Sequence, residues 1–194
     1  MGKQRNGVWY DNRYSLKKEK YSKAPRDLPA YYENWKYASL YAKANKLGRI
    51  FDFGCGPAHF ASVLKEYHPG IVRYEGYDFS SVAIKMANKM TANLDWCRCR
   101  QADIFTLDIP FIEGMLCTCF ELLEHIDNDL NFLKKLPASV PVIFTVPGFD
   151  SDGHTRHFTS KKQIIKRYSS LLDIEDIVCT HSIYRVTSIK RKEL

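Results

Sequence analysis

Residues 50–60 read IFDFGCGPAHF and place a glycine-rich segment directly after an apolar run. Ile50 and Phe51 are typical of a strand, and apolar residues return at helical spacing from Phe60 to Leu64. The stretch therefore predicts a strand, a tight turn and a helix in succession. Glycines let the backbone of such a turn approach a ligand closely, because no side chain intervenes.

Strand-like and helix-like segments alternate along the rest of the chain. Strands are predicted at 49–53, 71–78, 95–101, 114–120, 140–146, 173–180 and 182–189. Helices are predicted over about 31–47, 58–67, 80–90, 128–136 and 160–170. This order predicts an α/β fold, a Rossmann-like, seven-stranded, mostly parallel sheet with helices on both faces. The last two strands are too close in sequence for a crossover helix, so they should form an antiparallel C-terminal hairpin.

The composition is ordinary for a globular protein, since 45% of the 194 residues are hydrophobic and 26% are charged. No apolar stretch approaches the roughly 18–20 residues that span a bilayer. The N-terminus has no apolar core of the kind that a signal peptide needs. We therefore expect a cytoplasmic protein without a membrane span.

Residues 1–30 differ from the rest of the chain because they are polar, basic and rich in tyrosine, with Tyr10, Tyr14 and Tyr21. This composition predicts an N-terminal arm, followed by a single domain over 31–194. The arm is either a lid over an active site, a partly ordered aromatic segment, or a contact with another protomer. The sequence does not predict the oligomeric state.

The formal net charge is +7, and the excess lysine and arginine residues are spread over several segments. Such a balance is compatible with a nucleic-acid partner. Solvated basic faces explain it equally well, so charge alone does not choose between a nucleic acid and a small molecule.

Two acids follow the glycine turn at the positions where a nucleoside would bind. In sheets of this kind ligands lie beyond the carboxyl ends of the strands, and a Gly-x-Gly turn there is compatible with NAD, FAD or S-adenosylmethionine. Asp78 ends the second strand about 24 residues beyond Gly54, where it can accept hydrogen bonds from ribose hydroxyls. Asp103 follows the third strand and can accept a hydrogen bond from an adenine amine. Asp52 suits the ammonium group of S-adenosylmethionine and would repel the pyrophosphate of NAD.

Four segments in the same order resemble the motifs of class I S-adenosylmethionine-dependent methyltransferases: DFGCGPAHF, GYDFS, QADIF and CFELLEHI. The resemblance covers about residues 48–189 and is to the small, single-domain, ubiquinone-type O-methyltransferases. The third glycine usual in the first motif is Ala58 here, a mild change that should not abolish the turn. The resemblance implies that S-adenosylmethionine is bound by Asp52, Gly54, Cys55, Gly56, Asp78, Phe79, Asp103, Ile104 and Phe120.

Glu121, Glu124 and His125 form a Glu-x-x-Glu-His pattern after the fourth strand. The pattern resembles that of the ubiquinone-type enzymes and of enzymes that methylate the 2′-hydroxyl at small-RNA 3′ ends. In both groups these residues can hold a divalent metal such as Mg²⁺, which would lower the pKa of an acceptor hydroxyl. The spacing i, i+3, i+4 would put the three side chains on one face of a helical turn. Alternatively, Glu124 and His125 cap the turn and border the cofactor without a metal.

The loop after the fifth strand contains His154, Arg156 and His157 in a His-x-Arg-x-Phe stretch similar to one in many small methyltransferases. Either histidine is a candidate general base for a hydroxyl or a further metal ligand beside His125, because imidazole titrates near neutrality. Alternatively, His157 packs against the sheet and Arg156 pairs with a carboxylate.

These features together predict an S-adenosylmethionine-dependent methyltransferase that acts on a hydroxyl of a small-molecule or sugar-like acceptor. His125, His154, His157 and Glu121 are the candidate catalytic residues. Two alternatives stay open. One is 2′-O-methylation of an RNA end, and the other is a protein that binds the cofactor without turnover.

Overall fold

The computed structural model describes residues 2–192; Met1, Glu193 and Leu194, at the ends of the predicted arm and domain, lie outside the described residues. The strands are β1 (Arg49–Phe53), β2 (Arg73–Asp78), β3 (Cys97–Gln101), β4 (Met115–Cys119), β5 (Pro141–Pro147), β6 (Leu172–Thr180) and β7 (Ile183–Lys190). They form one seven-stranded sheet in the order β3-β2-β1-β4-β5-β7-β6. Strand β7 runs antiparallel to both β5 and β6, and the pairings among the first five strands are parallel. The predicted fold class is therefore confirmed, with β7 as the reversed strand.

Seven α-helices are present within the described residues. They are α1 (Gly7–Leu16), α2 (Lys18–Tyr21), α3 (Pro29–Ala44), α4 (His59–Tyr67), α5 (Ser81–Met90), α6 (Asp129–Lys135) and α7 (Lys161–Tyr168). The last five match the predicted helices to within a few residues at each end. The first two lie in the arm, where no helix was predicted. None of the described helices is long and apolar enough to cross a membrane.

Successive side chains of a strand point to opposite sides of the sheet. Every residue of β4 is buried, so this central strand is covered on both faces. Leu116 in β4 packs in the apolar cluster under α3, α4 and α5, together with Trp35 and Phe60. Its neighbour Cys117 belongs to the cluster on the other face, with Phe132 of α6. Helices therefore cover both faces, as the alternation of strands and helices predicted.

Strand order reverses between β1 and β4, because the chain builds β2 and β3 on one side of β1 and then returns to its other side. A crevice opens beyond the carboxyl ends of the strands at such a point. The glycine turn after β1 and the Glu-x-x-Glu-His segment after β4 both begin there.

Candidate active site

A cavity of about 510 Å³ lies at this edge of the sheet, a volume in the range of small-molecule sites. The segments that follow β1, β2, β3, β4 and β5 contribute to its wall, and the arm and α3 also line it. Nearly all the sequence-predicted site residues line it: Asp52, Gly54, Cys55, Gly56, Asp78, Phe79, Asp103, Ile104, Phe120, Glu121, His125 and His154.

The glycine turn requires its glycines. Gly54 has a φ of +71° and Gly56 a φ of +52°, both in the left-handed region that side chains disfavour. A Cβ atom on Gly54 would lie 2.9 Å from Cδ1 of Leu122, so the turn packs directly against the segment after β4. Ala58 also has a positive φ, of +62°. Alanine therefore keeps the turn, as predicted, but in a strained backbone conformation.

Asp52 lies within β1 rather than in the turn itself, and its carboxylate is bonded to both neighbouring strands. The Tyr74 hydroxyl of β2 donates to Oδ2 at 2.6 Å, and the Thr118 hydroxyl of β4 donates to Oδ1 at 2.7 Å. Burial raises the pKa of Asp52 to about 7, against the effect of these hydrogen bonds. The carboxyl group at the base of the cavity is therefore poised to change charge near neutral pH.

Asp78 joins the glycine turn to the start of α5. Its Oδ2 accepts a hydrogen bond from the Gly56 N–H at 3.0 Å, and its Oδ1 accepts one from the Ser80 N–H at 2.9 Å. Burial raises the pKa of Asp78 to about 6. Each carboxylate oxygen retains a second lone pair for a ligand.

Asp103 and its neighbours form the next part of the cavity wall. Asp103 is exposed, and its Oδ1 accepts a hydrogen bond from the Phe105 N–H at 2.9 Å. Ile104 is buried beside it, and Phe79 presents a partly exposed ring. The three residues thus offer one polar group and two apolar surfaces, which is the set that an adenine ring needs.

Cys55 and Phe120 both line the cavity and pack in the same apolar cluster. Cys55 is buried with its thiol in the cavity wall, and burial contributes to a raised pKa of about 11, so the thiol is protonated. The Phe120 ring packs edge-to-face on Phe60 of α4, with 5.0 Å between the ring centroids. Both residues supply apolar surface rather than charge.

The Glu-x-x-Glu-His segment does not form the predicted single helical face. Glu121 has a φ of +52°, and only Leu123–His125 form a turn, of the 3₁₀ type. The Glu121 N–H donates to the Thr145 hydroxyl of β5 at 2.9 Å, and this bond holds the left-handed backbone at Glu121 against β5. Glu121 therefore reaches the cavity from a different direction than His125.

The loop after β5 clamps this turn through backbone carbonyls. The Thr155 N–H donates to the Glu124 carbonyl at 2.6 Å. The Arg156 guanidinium donates to the carbonyls of Leu123 and Ile126, and it lies 3.4 Å from Asp129. Arg156 thus pairs with a carboxylate, as one of the two interpretations of this loop predicted.

Glu124, His125 and His154 bring one ligand atom each to within 4.8 Å of one another. Glu124 is fully buried, and neither of its carboxylate oxygens has a hydrogen-bond partner among the described residues. His125 Nε2 lies 3.8 Å from Glu124 Oε1, while its Nδ1 lies 2.9 Å from the Gly153 carbonyl, which assigns the proton to Nδ1. His154 Nδ1 faces the Phe149 carbonyl at 3.3 Å in the same way.

Burial lowers the pKa of both histidines, that of His125 to about 4, so both rings are neutral and keep a lone pair. Burial, and then the neighbouring charge of Glu121, raises the pKa of Glu124. A buried carboxylate without a donor beside two neutral imidazoles is a donor set that fits a divalent cation. Glu121 is not among these three mutually close groups; its Oε1 is buried without a partner at the edge of the cavity.

His157, one of the candidate catalytic residues, is exposed and does not line the cavity. His154 is buried, whereas the irregular loop between the two histidines leaves His157 at the surface. We therefore do not retain it as a candidate, and of the two histidines in the loop only His154 reaches the cavity.

The arm supplies residues that the sequence did not assign to the site. Helix α1 covers the cavity, and the arm's lining residues include Tyr10, Arg13, Tyr14, Lys20 and Tyr21. The Tyr14 hydroxyl would lie 3.1 Å from a Cβ atom on Gly56, directly over the turn. The Asn6 side chain, which accepts a hydrogen bond from the Trp9 N–H, caps α1. An asparagine cap followed by aromatic residues four apart was the signal that could have found this helix.

A further pair of rings borders the cavity near the start of α4. Trp35 of α3 stacks on His59 with 5.4 Å between ring centroids and 8° between ring planes. Both residues line the cavity. They lie about 24 residues apart in sequence, so no local pattern indicated the contact.

A family model described as a methyltransferase domain matches residues 26–189. No curated protein matches the sequence significantly. Among solved structures, the chain is similar to the small RNA methyltransferase HEN1, with a TM-score of 0.70 and 15% identity over 85% of this chain and 26% of that chain. It is similar to a chain of the complex between the Haloferax volcanii Trm112 methyltransferase activator and a methyltransferase, with a TM-score of 0.69 and 13% identity over 94% and 98% of the two chains.

The fold is also similar to that of the N-methyltransferase NodS from Bradyrhizobium japonicum WM9, solved with S-adenosyl-L-homocysteine (TM-score 0.62, 15% identity, 84% of this chain and 88% of that chain). At these identities the likeness shows the fold alone. The family match spans most of the chain, including the glycine turn, both acids and the Glu-x-x-Glu-His segment. The chain therefore belongs to the methyltransferase-domain family and is an S-adenosylmethionine-dependent methyltransferase.

Proposed function

We propose that the enzyme methylates a hydroxyl of a small-molecule or sugar-like acceptor, assisted by a divalent cation such as Mg²⁺ at Glu124, His125 and His154. The observation that supports this most is the buried Glu124 carboxylate, which has no donor partner and lies 3.8 Å from a neutral imidazole nitrogen. A buried, unpaired carboxylate is costly unless it is protonated or a cation compensates it, and a cation bound to Glu124 would take the place of the proton. A cation held there would border the cavity through His125 and His154.

In this proposal the cofactor lies along the carboxyl edge of the strands. Asp78 accepts hydrogen bonds from the ribose hydroxyls, while Asp103, Ile104 and Phe79 surround the adenine. Asp52 faces the amino group of the cofactor. The backbone of Gly54, Cys55 and Gly56 passes beneath it, and Phe120 closes the side toward the acceptor.

The cofactor supplies a methyl group that its sulfonium already activates, so the protein has mainly to position the acceptor and exclude water. The metal-binding residues would hold the hydroxyl oxygen and lower its pKa through the cation. Glu121 is the group suited to accept the hydroxyl proton, because burial raises its pKa to about 7 and its Oε1 is free.

We further propose that residues 1–30 act as a lid on a methyltransferase domain formed by 31–194. Supporting contacts come from the N-terminal end of the arm. Arg5 forms an ion pair with Asp152 at 2.8 Å, and Gln4 accepts a hydrogen bond from the Asp127 N–H at 2.8 Å. A lid in this position would shield the reacting groups from water.

Calorimetry with the full chain tests the metal. Mn²⁺ and Mg²⁺ are titrated into wild type, Glu124→Gln and the matched variant His157→Asn, whose side chain is exposed and outside the cavity. We expect Glu124→Gln to lose metal binding while its affinity for S-adenosylhomocysteine stays unchanged. Absence of metal binding by wild type, or methyl transfer that survives chelation, would reject the metal-assisted reaction.

A second acceptor class, the 2′-hydroxyl at an RNA 3′ end, is favoured by the net charge of +7 and by the similarity to HEN1. Short RNAs with a terminal 2′-hydroxyl and their terminal 2′-deoxy counterparts separate the two proposals. Methylation of the former alone would select the RNA end. A protein that binds S-adenosylhomocysteine but methylates neither RNA nor any hydroxylated small molecule would match the remaining alternative, binding without turnover.

A further inference from the structure

Two positively charged side chains of the arm, Arg13 and Lys20, line the cavity. Neither forms an ion pair with any residue between 2 and 192. Arg5, on the same arm, differs in this respect because it pairs with Asp152. A cation that lines a cavity without a protein partner is available to a ligand.

Aromatic rings hold both cations in place. The Arg13 guanidinium carbon lies 5.0 Å from the centroid of the Trp9 ring. The Lys20 ammonium lies 5.9 Å from the centroids of both Tyr21 and Tyr31. Cation–π contacts at these distances orient a cation but leave its hydrogen-bond donors unused.

The two cations also act on each other. Burial lowers the pKa of Lys20, and the positive charges of Lys17 and Arg13 lower it further. The charge of Glu121 acts in the opposite direction and raises this pKa. An anion bound between Arg13 and Lys20 would relieve this repulsion and replace the lost hydration.

The position of Arg13 indicates which ligand supplies the anion. The Arg13 guanidinium packs on the Trp9 ring. A Cβ atom on Gly153 would lie 3.2 Å from Cη2 of that ring and 3.6 Å from Nδ1 of His125, so Trp9 borders the contact between Gly153 and His125. Arg13 therefore lies on the side of the cavity where the acceptor is proposed to bind.

We propose that the acceptor carries an anionic group, a carboxylate or a phosphate, which Arg13 and Lys20 bind beneath the arm. The inference rests on the proposed function, since it assumes an acceptor hydroxyl near His125. It narrows the substrate class from hydroxylated small molecules to hydroxylated small-molecule anions. The two cations are then specificity-determining residues, and the arm contributes to recognition as well as to closure.

The test uses inorganic phosphate as the probe and the full chain saturated with S-adenosylhomocysteine, so that the cofactor's own carboxylate is already bound. Trp9 fluorescence is the readout because its ring contacts Arg13, and chloride at equal ionic strength is the reference. We expect a saturable response in wild type and in Lys18→Gln, whose exposed lysine lies outside the cavity. The double variant Arg13→Gln/Lys20→Gln should bind phosphate at least tenfold more weakly.

Three results would overturn the proposal: no saturable phosphate binding, equal binding by the double variant, or a cofactor role for the two cations. A cofactor role would be indicated if the double variant lost affinity for S-adenosylhomocysteine but not for 5′-methylthioadenosine, which lacks the carboxylate. Failure of the proposed function has a different signature. In that case phosphate binding is intact, but no hydroxyl acceptor is methylated in a chelator-sensitive way.

Discussion

The Asp11 carboxylate of the arm accepts a hydrogen bond of 2.6 Å from the Ser80 hydroxyl, 69 residues away in sequence. It also accepts bonds from the Ser81 hydroxyl and the Val82 N–H, both at 3.2 Å. These donors form the first turn of α5, where a negative charge is favourable. Asp11 thus joins the arm to α5, the helix that follows Asp78.

Replacement of this contact should loosen the arm without unfolding the protein. Asp11→Ala removes hydrogen bonds to a charged but solvent-accessible group, for which we expect a loss of about 1 kcal/mol of docking free energy. S-adenosylhomocysteine should dissociate roughly fivefold faster, and trypsin should cut the lysine-rich arm sooner. Stopped-flow displacement and limited proteolysis measure the two effects. Asp27→Ala, also in the arm but without these bonds, is the control, and equal effects of both variants would contradict the role of Asp11.

The same contact should weaken in acid. Hydrogen bonding, above all from Ser80, lowers the pKa of Asp11 below its ordinary value. Because docking lowers the pKa of Asp11, the ionised carboxylate stabilises the docked arm at pH values above the ordinary pKa of an aspartate. This stabilisation is lost as the pH falls through the lowered pKa. Trypsin is inactive at low pH, so cleavage of the arm by pepsin provides the readout. Asp11→Asn should show no such pH dependence.

Asp52 should make cofactor binding dependent on pH. Because burial raises its pKa to about 7, the carboxyl group is mostly protonated at pH 6 and mostly ionised at pH 8. The cationic amino group of the cofactor favours the ionised form, so binding at pH 6 should release a proton. Affinity should rise between pH 6 and 7.5 by at most about tenfold per pH unit. Calorimetry in two buffers of different ionisation enthalpy measures the proton, and an unchanged slope in Asp52→Asn would assign it to another group such as Asp78.

In the ligand-free protein, the raised pKa of Asp52 should make the folded state less stable as the pH rises, whereas it makes cofactor binding stronger. The folded state binds more protons than the unfolded chain between the ordinary carboxyl range and pH 7. The free energy of unfolding should therefore decrease as the pH rises through that window. Denaturant titrations of wild type and Asp52→Asn at several pH values report this difference.

Ala58 holds a φ of +62°, a conformation that costs alanine more than glycine. Ala58→Gly should therefore stabilise the protein by about 1 kcal/mol, or roughly 2–4 °C in the midpoint of thermal unfolding. Ala61→Gly, three residues later inside α4, should instead destabilise it by about 1 kcal/mol, because glycine weakens a helix interior. If both variants shifted the midpoint in the same direction, backbone strain at Ala58 would not be the cause.

Arg156 holds the Glu124–His125 turn through the carbonyls of Leu123, Ile126 and Asp127 and lies beside the buried Asp129. Arg156→Lys keeps the charge but not the planar fork, so we expect a loss of about 2 kcal/mol in stability and a larger loss in metal affinity. Thermal unfolding measures the loss in stability, and metal titration measures the loss in metal affinity. Arg191→Ala removes only the exposed pair with Asp173 and should change stability by less than about 0.5 kcal/mol.

The local patterns of the sequence determined the sheet and the position of the site. Each strand and crossover helix has its own periodicity, and the glycine turn needs particular backbone angles at Gly54 and Gly56. Parallel strands bring their carboxyl ends to one edge, so Asp52, Asp78 and Asp103 had to meet there once the fold was known. These inferences required no knowledge of contacts between distant segments.

Tertiary structure alone decided which of the remaining candidates face the cavity. Glu121 has a left-handed backbone and lies outside the cluster of Glu124, His125 and His154. The loop after β5 buries His154 and leaves His157 exposed. Helix α1 has a weak amphipathic pattern and no fully buried residue, so its docking depends on contacts such as Asp11 with Ser80. Side-chain direction in loops and the docking of a polar helix follow from long-range contacts, for which a single sequence has no periodic signal.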